Sequence, residues 1–408
     1  MKPKYFSNFI IGWIRDALVM ASTTLTSTSV LSAYLLYANM SESRISQYLA
    51  FVPAVNLIVS LVFASITGRI KKGIPAYTVL CMLCGLLTAG FVLLFRSNLS
   101  PDTYFIVLMV LGGVLSAVVA VRIIYEYKLP CEVMELKSYS LYISVGGIIS
   151  GITGIVTGMV LSFCYEKLDF FKVSCGAYLA AGLCLCAAAL INALLKAIPV
   201  KETAPEKPGQ REKPNILRLL ADRSFRVLAV PNFIRGFGAG LISMITVLAA
   251  RGIGLVESDG AIITTCTSLG SLLSCAIYGV LAPKLQASRV GMLGALVFCL
   301  LIPAFAGGRI LFFVIYCVSY IGYNVVCSAI PDIIYQHISP DIMSVYHTWR
   351  LALTTFGTTV ATALIGAVMA TVSPTIVLAV GTIAFFLCML AYYLYFRKSE
   401  QAEKESDQ

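Results

Sequence analysis

Apolar runs of roughly 20 residues recur along the whole chain, each long enough to cross about 30 Å of hydrocarbon and each closed by a few polar residues. Lipid supplies no hydrogen-bond partners, so a chain built of such runs crosses as helices whose backbone pairs internally. The runs fall near 15–38, 46–67, 75–95, 103–124, 139–163, 174–196, 227–250, 260–282, 290–307, 309–330, 344–371 and 375–396. The expected fold class is therefore an all-α integral membrane protein with twelve transmembrane helices. An apolar content of 59% against 12% charged residues excludes a soluble domain of this size. Arg15 and Asp16 interrupt the first run and no small-residue cleavage site closes it, so it reads as a retained span rather than a signal peptide.

Basic residues are retained on the cytoplasmic side of a bilayer. With the N-terminus inside, the termini and the loops on their side carry 22 Lys and Arg, against 6 in the opposite loops. Both termini are thus expected in the cytoplasm of a multi-pass protein of the cell membrane. The net charge of +10 follows from this asymmetry and from contact with anionic lipid heads, and no nucleic-acid partner is needed to account for it.

No enzyme site assembles. Most of the 13 cysteines lie scattered in apolar spans, where the thiol behaves as a small hydrophobe. Cys81 and Cys84 form a C-x-x-C without a nearby histidine, and the pairing of His337 with Asp341 has poor spacing for acyl transfer. No catalytic residue, metal ligand or cofactor is assigned. A nucleotide-binding Gly-x-x-x-x-Gly-Lys loop is also missing, which disfavours ATP-driven pumping.

The longest polar stretch, IPVKETAPEKPGQREKPN at 198–215, cannot bury a core and reads as a flexible linker. It divides the chain into an N-terminal six-helix half (1–197) and a C-terminal half (216–396), followed by a cytoplasmic tail (397–408). Leu217, Leu220, Phe225 and Leu228 alternate with basic residues after the linker, as in a helix lying on the membrane surface. The halves carry matching signals: NFIIGW from Asn8 to Trp13 and NFIRGF from Asn232 to Phe237 stand early in the first and seventh spans. Pro130 to Tyr142 and Pro331 to Tyr346 occupy corresponding connections, and together these matches favour a parallel repeat.

Hydroxyl side chains are unevenly placed. The third, sixth, ninth and twelfth spans hold 5 Ser and Thr together, whereas the other eight hold 38. Lipid-facing helices gain nothing from hydroxyls, so every third span is expected at the periphery. With this period of three, and with ASITGRIKK after the second span and GVLAPKLQASR after the eighth, the chain resembles the major facilitator superfamily over nearly its whole length. The resemblance implies two six-helix halves around a central cavity. It also implies a charged loop motif, of which Arg69, Lys71 and Lys72 are present while Gly68 replaces the family's aspartate; Pro283 does so in the second copy.

Seven hydroxyl side chains crowd residues 22–29, near the middle of the first span, at the depth where alternating-access transporters bind their solutes. Such a run covers every helical face, so only a subset can reach a cavity; Thr23 and Ser27 share one edge with Tyr34 beyond them. The competing reading is that the hydroxyls bond back to carbonyls one turn earlier. Span ten offers a second stripe, Tyr316, Tyr320, Tyr323, Asn324 and Cys327, able to stack on a flat organic face and read its polar groups. Asn56 in span two and Thr264, Thr265, Ser268 and Ser271 in span eight complete a neutral polar pocket. Gly147, Gly151, Gly154 and Gly158 on one face of span five read as a close-approach seam, and the resemblance implies that it meets span eight, where Thr267, Ser271 and Ser274 offer a matching small face.

Charges are few and lie toward the cytoplasmic ends of the spans. Arg69, Arg122, Glu126, Asp332 and Arg350 are the gating candidates, with Asp332 and Arg350 as a pair that could latch an inner gate; for these charges, and for Arg15, Asp16 and Arg235, a structural or topogenic role is the competing reading. No carboxylate stands at mid-membrane, although Asp16 and Glu126 would titrate if a cavity reached them. Coupling to a proton, to sodium or to neither stays open. The expected function is a monomeric secondary or facilitative transporter, with symport included, whose partners are the lipid bilayer and a small organic solute. Uptake of a sugar or nucleoside leads, efflux of an amphiphilic drug is the alternative, and a non-transporting membrane sensor is the other class weighed.

Overall fold

The computed structural model describes residues 6–64, 73–133, 139–197, 223–254, 259–282, 284–337, 340–368 and 371–406. Its described residues form fourteen α-helices. In chain order they are α1 (Phe6–Leu25), α2 (Thr28–Tyr37), α3 (Glu42–Ala64), α4 (Gly73–Phe95), α5 (Pro101–Val133), α6 (Tyr139–Lys167) and α7 (Phe170–Asn192). After the linker come α8 (Arg223–Ser243), α9 (Ile245–Ile253), α10 (Asp259–Leu281), α11 (Ala287–Phe298), α12 (Gly308–His337), α13 (Pro340–Val368) and α14 (Pro374–Ser406). Arg69, the linker and residues 216–222 lie outside the described residues.

Among the described residues ten spans, α1 and α2 counting as one, are long and apolar enough to cross a membrane, and the bent pair α8 and α9 makes an eleventh. The protein is thus an all-helical, multi-pass membrane protein. The ninth expected span is represented by a shorter apolar helix, Ala287–Leu301, which ends in a 3-10 turn. Apolar side chains also cover outward faces: on α4, of mean hydropathy 2.4, Leu86 is 60% and Leu93 76% exposed, as lipid-facing positions require.

Helix packing falls into two sets, joined to each other by extensive packing of α3 on α13 and of α6 on α10, with α2 also against α10. Helix α1 packs on α6 and α7, α4 on α5 and α7, and α3 on α5. Helix α8 packs on α13 and α14, α12 on α10 and α11, and α11 on α14. The two copies of the Asn-Phe-Ile motif anchor these sets in similar ways. Asn8 Nδ2 donates to the carbonyls of Val133 (2.7 Å) and Lys196 (2.8 Å), tying the start of α1 to the last turn of α5 and the exit of α7. Asn232 Nδ2 donates to Tyr392 Oη on α14 at 2.6 Å. Four residues after each Asn, a glycine lets a helix approach: Gly12 faces the Tyr142 ring on α6, and Gly236 faces the backbone of Thr354 on α13. These bonds answer backbone and side-chain groups that hydrocarbon would leave unpaired.

Both long first spans are interrupted. Helix α1 stops at Leu25 and α2 starts at Thr28, while α8 and α9 meet at Met244 with a 46° bend. A methyl group at Gly236 would fall on the Thr354 carbonyl, so Gly236→Leu is expected to force α8 and α13 apart and to cost roughly 1–3 kcal/mol. Thermal unfolding in detergent checks this against Gly90→Leu, which enters open space on α4 and leaves the midpoint unchanged.

Candidate functional site

The hydroxyl run breaks the first span. Thr23, Thr24 and Thr26 donate to the carbonyls of Val19, Met20 and Ser22 at 2.9, 3.0 and 2.9 Å, the one-turn back-bonding that competes with regular helix. Thr23 is exposed, whereas Ser27 leaves the helix and caps α2, its Oγ accepting from Val30 N at 3.3 Å. Ser27 Oγ also lies 2.7 Å from Thr264 Oγ1 on α10. Thr264 already donates to Gly260 O, so Ser27 is the donor of this bond. The run therefore delivers one hydroxyl across the bundle and spends three locally.

Contacts between the two helix sets run from the bundle's middle to the end away from the termini. Gly151, Gly154 and Gly158 of α6 receive Leu272, Ser268 and Thr265 of α10, a face adjacent to the expected Thr267, Ser271 and Ser274. Gly147, nearer the termini, meets nothing, so the expected four-glycine seam uses three. Thr267 and Ser274 instead donate to Ile263 O and Ser271 O on their own helix. Farther out, Ser46 Oγ of α3 donates to Thr362 O of α13 at 2.6 Å, and Arg251 of α9 pairs with Glu42 of α3 at 3.7 Å. The backbone of Ser29 comes close to Gly260. Sequence reading missed Ser46, Thr362, Glu42 and Arg251, whose types carry no signal until the helices are placed.

Buried charge collects at the opposite end. Arg15, 5% exposed, gives Nε and Nη2 to Asp16 Oδ1 (2.8 and 2.6 Å), Nη1 to Asn192 Oδ1 (3.1 Å) and Nη2 to Tyr142 Oη (3.2 Å). Tyr142 donates in turn to Asp16 Oδ2 at 2.5 Å, and the guanidinium lies 5.1 Å over the Tyr77 ring. Arg122 is buried on α5 with Glu126 one turn on, half-buried, within electrostatic reach of both Arg122 and Arg15. Tyr142, Asn192 and Tyr77 were not foreseen, because their partners lie up to 177 positions away in the chain.

Arg235 on α8 has different company. Its Nη2 donates to Thr354 Oγ1 at 3.2 Å and its Nη1 approaches Cys327 Sγ at 3.7 Å. Thr354 uses its own proton on Arg350 O at 2.8 Å, which leaves its lone pair for Arg235. The side chain of Asp332 lies outside the described residues, so the Asp332 and Arg350 latch is not described here.

The tyrosine stripe forms a stack on α12. Phe312, Tyr316, Tyr320 and Tyr323 follow at centroid distances of 5.9, 5.4 and 4.8 Å, and Tyr323 continues to Phe385 at 5.0 Å. Tyr316 is 3% exposed and donates to Thr267 Oγ1 at 3.2 Å, so it packs as core rather than lining an open surface. Tyr320 and Asn324 are half-buried, and Asn324 Nδ2 donates back to Tyr320 O. Tyr34, also 3% exposed, is enclosed by Phe95 and Phe170, which corrects its expected place beside Ser27 on a cavity wall. Asn56 is half-buried and accepts from Ser60 Oγ at 3.3 Å. A groove of about 390 Å³ opens between α3 and α13, lined by Gln47, Phe51 and Thr359, and includes none of the expected solute residues.

With this geometry in place, solved structures of the same shape can be compared. The nucleoside transporter NupG, in a mutant form, superimposes with a TM-score of 0.70 at 14% identity, covering 95% of this chain and 100% of that one. Unmutated NupG gives 0.69 at the same identity, over 95% and 99%. A bacterial homologue of the human lysosomal transporter Spinster, inward-facing and unoccupied, gives 0.66 at 16% identity, over 97% and 98%. At 14–16% identity these likenesses show that the chain shares the fold of these structures over nearly its whole length. No protein-family model matches the chain, and no curated protein does.

Removing Asp16 strands a buried guanidinium. Asp16→Asn is expected to destabilise the protein by about 3–5 kcal/mol, and Asn192→Ala, which removes one hydrogen-bonding partner, by about 1 kcal/mol. Equilibrium unfolding of the purified variants in detergent measures both.

Proposed function

We propose that the protein is a secondary transporter that moves a small polar organic solute across the cell membrane by rocking two six-helix halves, residues 1–197 and 216–396, about a site between them. The observation that carries this reading is the placement of the contacts between the helix sets. Described contacts join them through glycines, hydroxyls and one partly exposed ion pair at the end away from the termini, while the buried charges at the other end bond within their own set. Hydroxyl bonds between membrane helices contribute about 0.6 kcal/mol each, and a hydrated ion pair about 0–1 kcal/mol. Beyond the packing of α3 on α13 and of α6 on α10, the polar bonds that hold this closure are few and weak, and it can open when solute binding favours another arrangement.

With both termini in the cytoplasm, this arrangement is sealed outside and accessible from within. Thr23, Ser27, Asn56, Tyr320 and Asn324 are the residues proposed to meet solute. Of these, Thr23 is exposed and the rest half-buried. Glu126 is the carboxylate proposed to hold a coupling proton; sodium coupling and facilitated diffusion are the alternatives. The likeness in fold to a nucleoside transporter favours a polar solute such as a nucleoside or sugar over an amphiphilic drug. A monomer suffices for this cycle.

Two measurements test the reading. Cysteines placed at Ser27 and Thr264, in a background without the native thiols, are expected to crosslink on oxidation and to stop transport, with recovery on reduction. Proteoliposomes holding the native protein should accumulate at least one solute from a labelled panel of nucleosides, sugars and drugs under an imposed proton or sodium gradient. Crosslinking without loss of flux would remove the rocking model.

A further inference from the structure

Three arginines stand inside the apolar spans of α1, α5 and α8, and they are matched very differently. Arg15 has a carboxylate, an amide oxygen and a phenol around it. Arg122 has Glu126 within electrostatic reach. Arg235 has neither: no carboxylate lies within 4 Å of it among the described residues, and its electrostatic neighbours include the Cys327 and Cys388 thiols and the Tyr323 and Tyr392 phenols. Only two of its N–H groups have protein partners, a hydroxyl and a thiol, and Nε is enclosed with none.

An arginine near a span's end can extend its head to the interface and stay hydrated. Arg235 does not take that course. It stands five residues in from Val230, where the apolar window opens, about 7 Å along the axis, and its guanidinium is held sideways between Thr354 on α13 and Cys327 on α12. Close packing at Gly236 and Gly357 brings α8 and α13 together and fixes this direction. A cation in an apolar bundle without an anion is costly, and such residues face substrate or ion pathways. Tyr320, Tyr323 and Asn324, one to two turns along α12 from Cys327, are all half-buried, as is Arg235 itself.

We propose that Arg235 is the recognition point for an oxyanion on the transported solute, a carboxylate or phosphate borne by a small organic molecule whose flat or polar body lies along Tyr320, Tyr323 and Asn324. This names the solute class for the transporter reading above and rests on it. The planar guanidinium fork suits two oxygens of one anionic group, and the solute's charge completes what the described residues leave unmatched. Thr354 is a positioning residue that orients the fork.

The full-length protein in detergent is titrated, at fixed ionic strength, with matched pairs: glucose against glucuronate and glucose 6-phosphate, and uridine against uridine 5′-monophosphate. Ligand-induced thermal stabilisation is read for each, and uptake of the same compounds is read in proteoliposomes. The expected result is that an anionic member binds at least about tenfold more tightly than its neutral parent, that Arg235→Gln erases the difference, and that Arg235→Lys restores part of it. Whether glucuronate or a phosphate ester prevails assigns the oxyanion. The pairwise comparison on the native protein decides the matter even if Arg235→Gln fails to fold. Neutral parents that bind and cross as well as their anionic partners, with Arg235→Gln unaffected, overturn the anion site and leave the transporter reading intact. A native protein that moves no member of any pair overturns both.

Discussion

Hydrocarbon offers no hydrogen bonds, and the whole architecture answers that constraint. Backbone groups pair within helices; the groups left at helix ends are met by side chains from elsewhere, as Asn8 meets the carbonyls of Val133 and Lys196 and Glu132 meets the N–H of Gly73. Each polar side chain in a span then has three outcomes: a bond to its own helix, a bond to another helix, or exposure to water or solute. Thr24 takes the first, Ser46 the second, and the half-matched Arg235 points to the third.

The distribution of these outcomes along the bundle is what supports the proposed transport cycle. Bonds that hold each helix set together engage charge and amide groups deep in the protein, and losing one leaves a buried group unpaired. Polar bonds between the sets are hydroxyl contacts, glycine approaches and the partly exposed Arg251–Glu42 pair, which part without stranding a buried charge. Strong bonds inside and weak ones between are the mechanical requirement for two bodies that move as units.

Much of the fold was legible. The length of the apolar runs dictates spanning helices, and the matching NFI segments, read as a sign of a repeat, each carry an asparagine, Asn8 and Asn232, that bonds to another helix. The candidate site was legible only in part. Tyr316 and Tyr34 have the residue type and spacing of a binding stripe, yet both sit in aromatic core beside Phe312 and Phe95, because helical spacing reports which residues share a face and not what that face meets. The glycine seam was found on α6 while its partner face on α10 was displaced, since small residues occur on more than one side of that helix.

What the sequence determined by itself is the solvent: runs of apolar residues, basic asymmetry and scarce charge require a helical membrane protein, because the cost of an unpaired backbone group in lipid admits nothing else. Tertiary structure alone decided which polar groups are matched. Arg15 and Arg235 look alike in sequence, each an arginine early in an apolar span, and differ only because α6 and α7 bring Tyr142 and Asn192 to the first while α12 and α13 bring a thiol and a hydroxyl to the second. Electrostatic matching acts over a few ångströms in space, and a linear chain does not record distances of that kind.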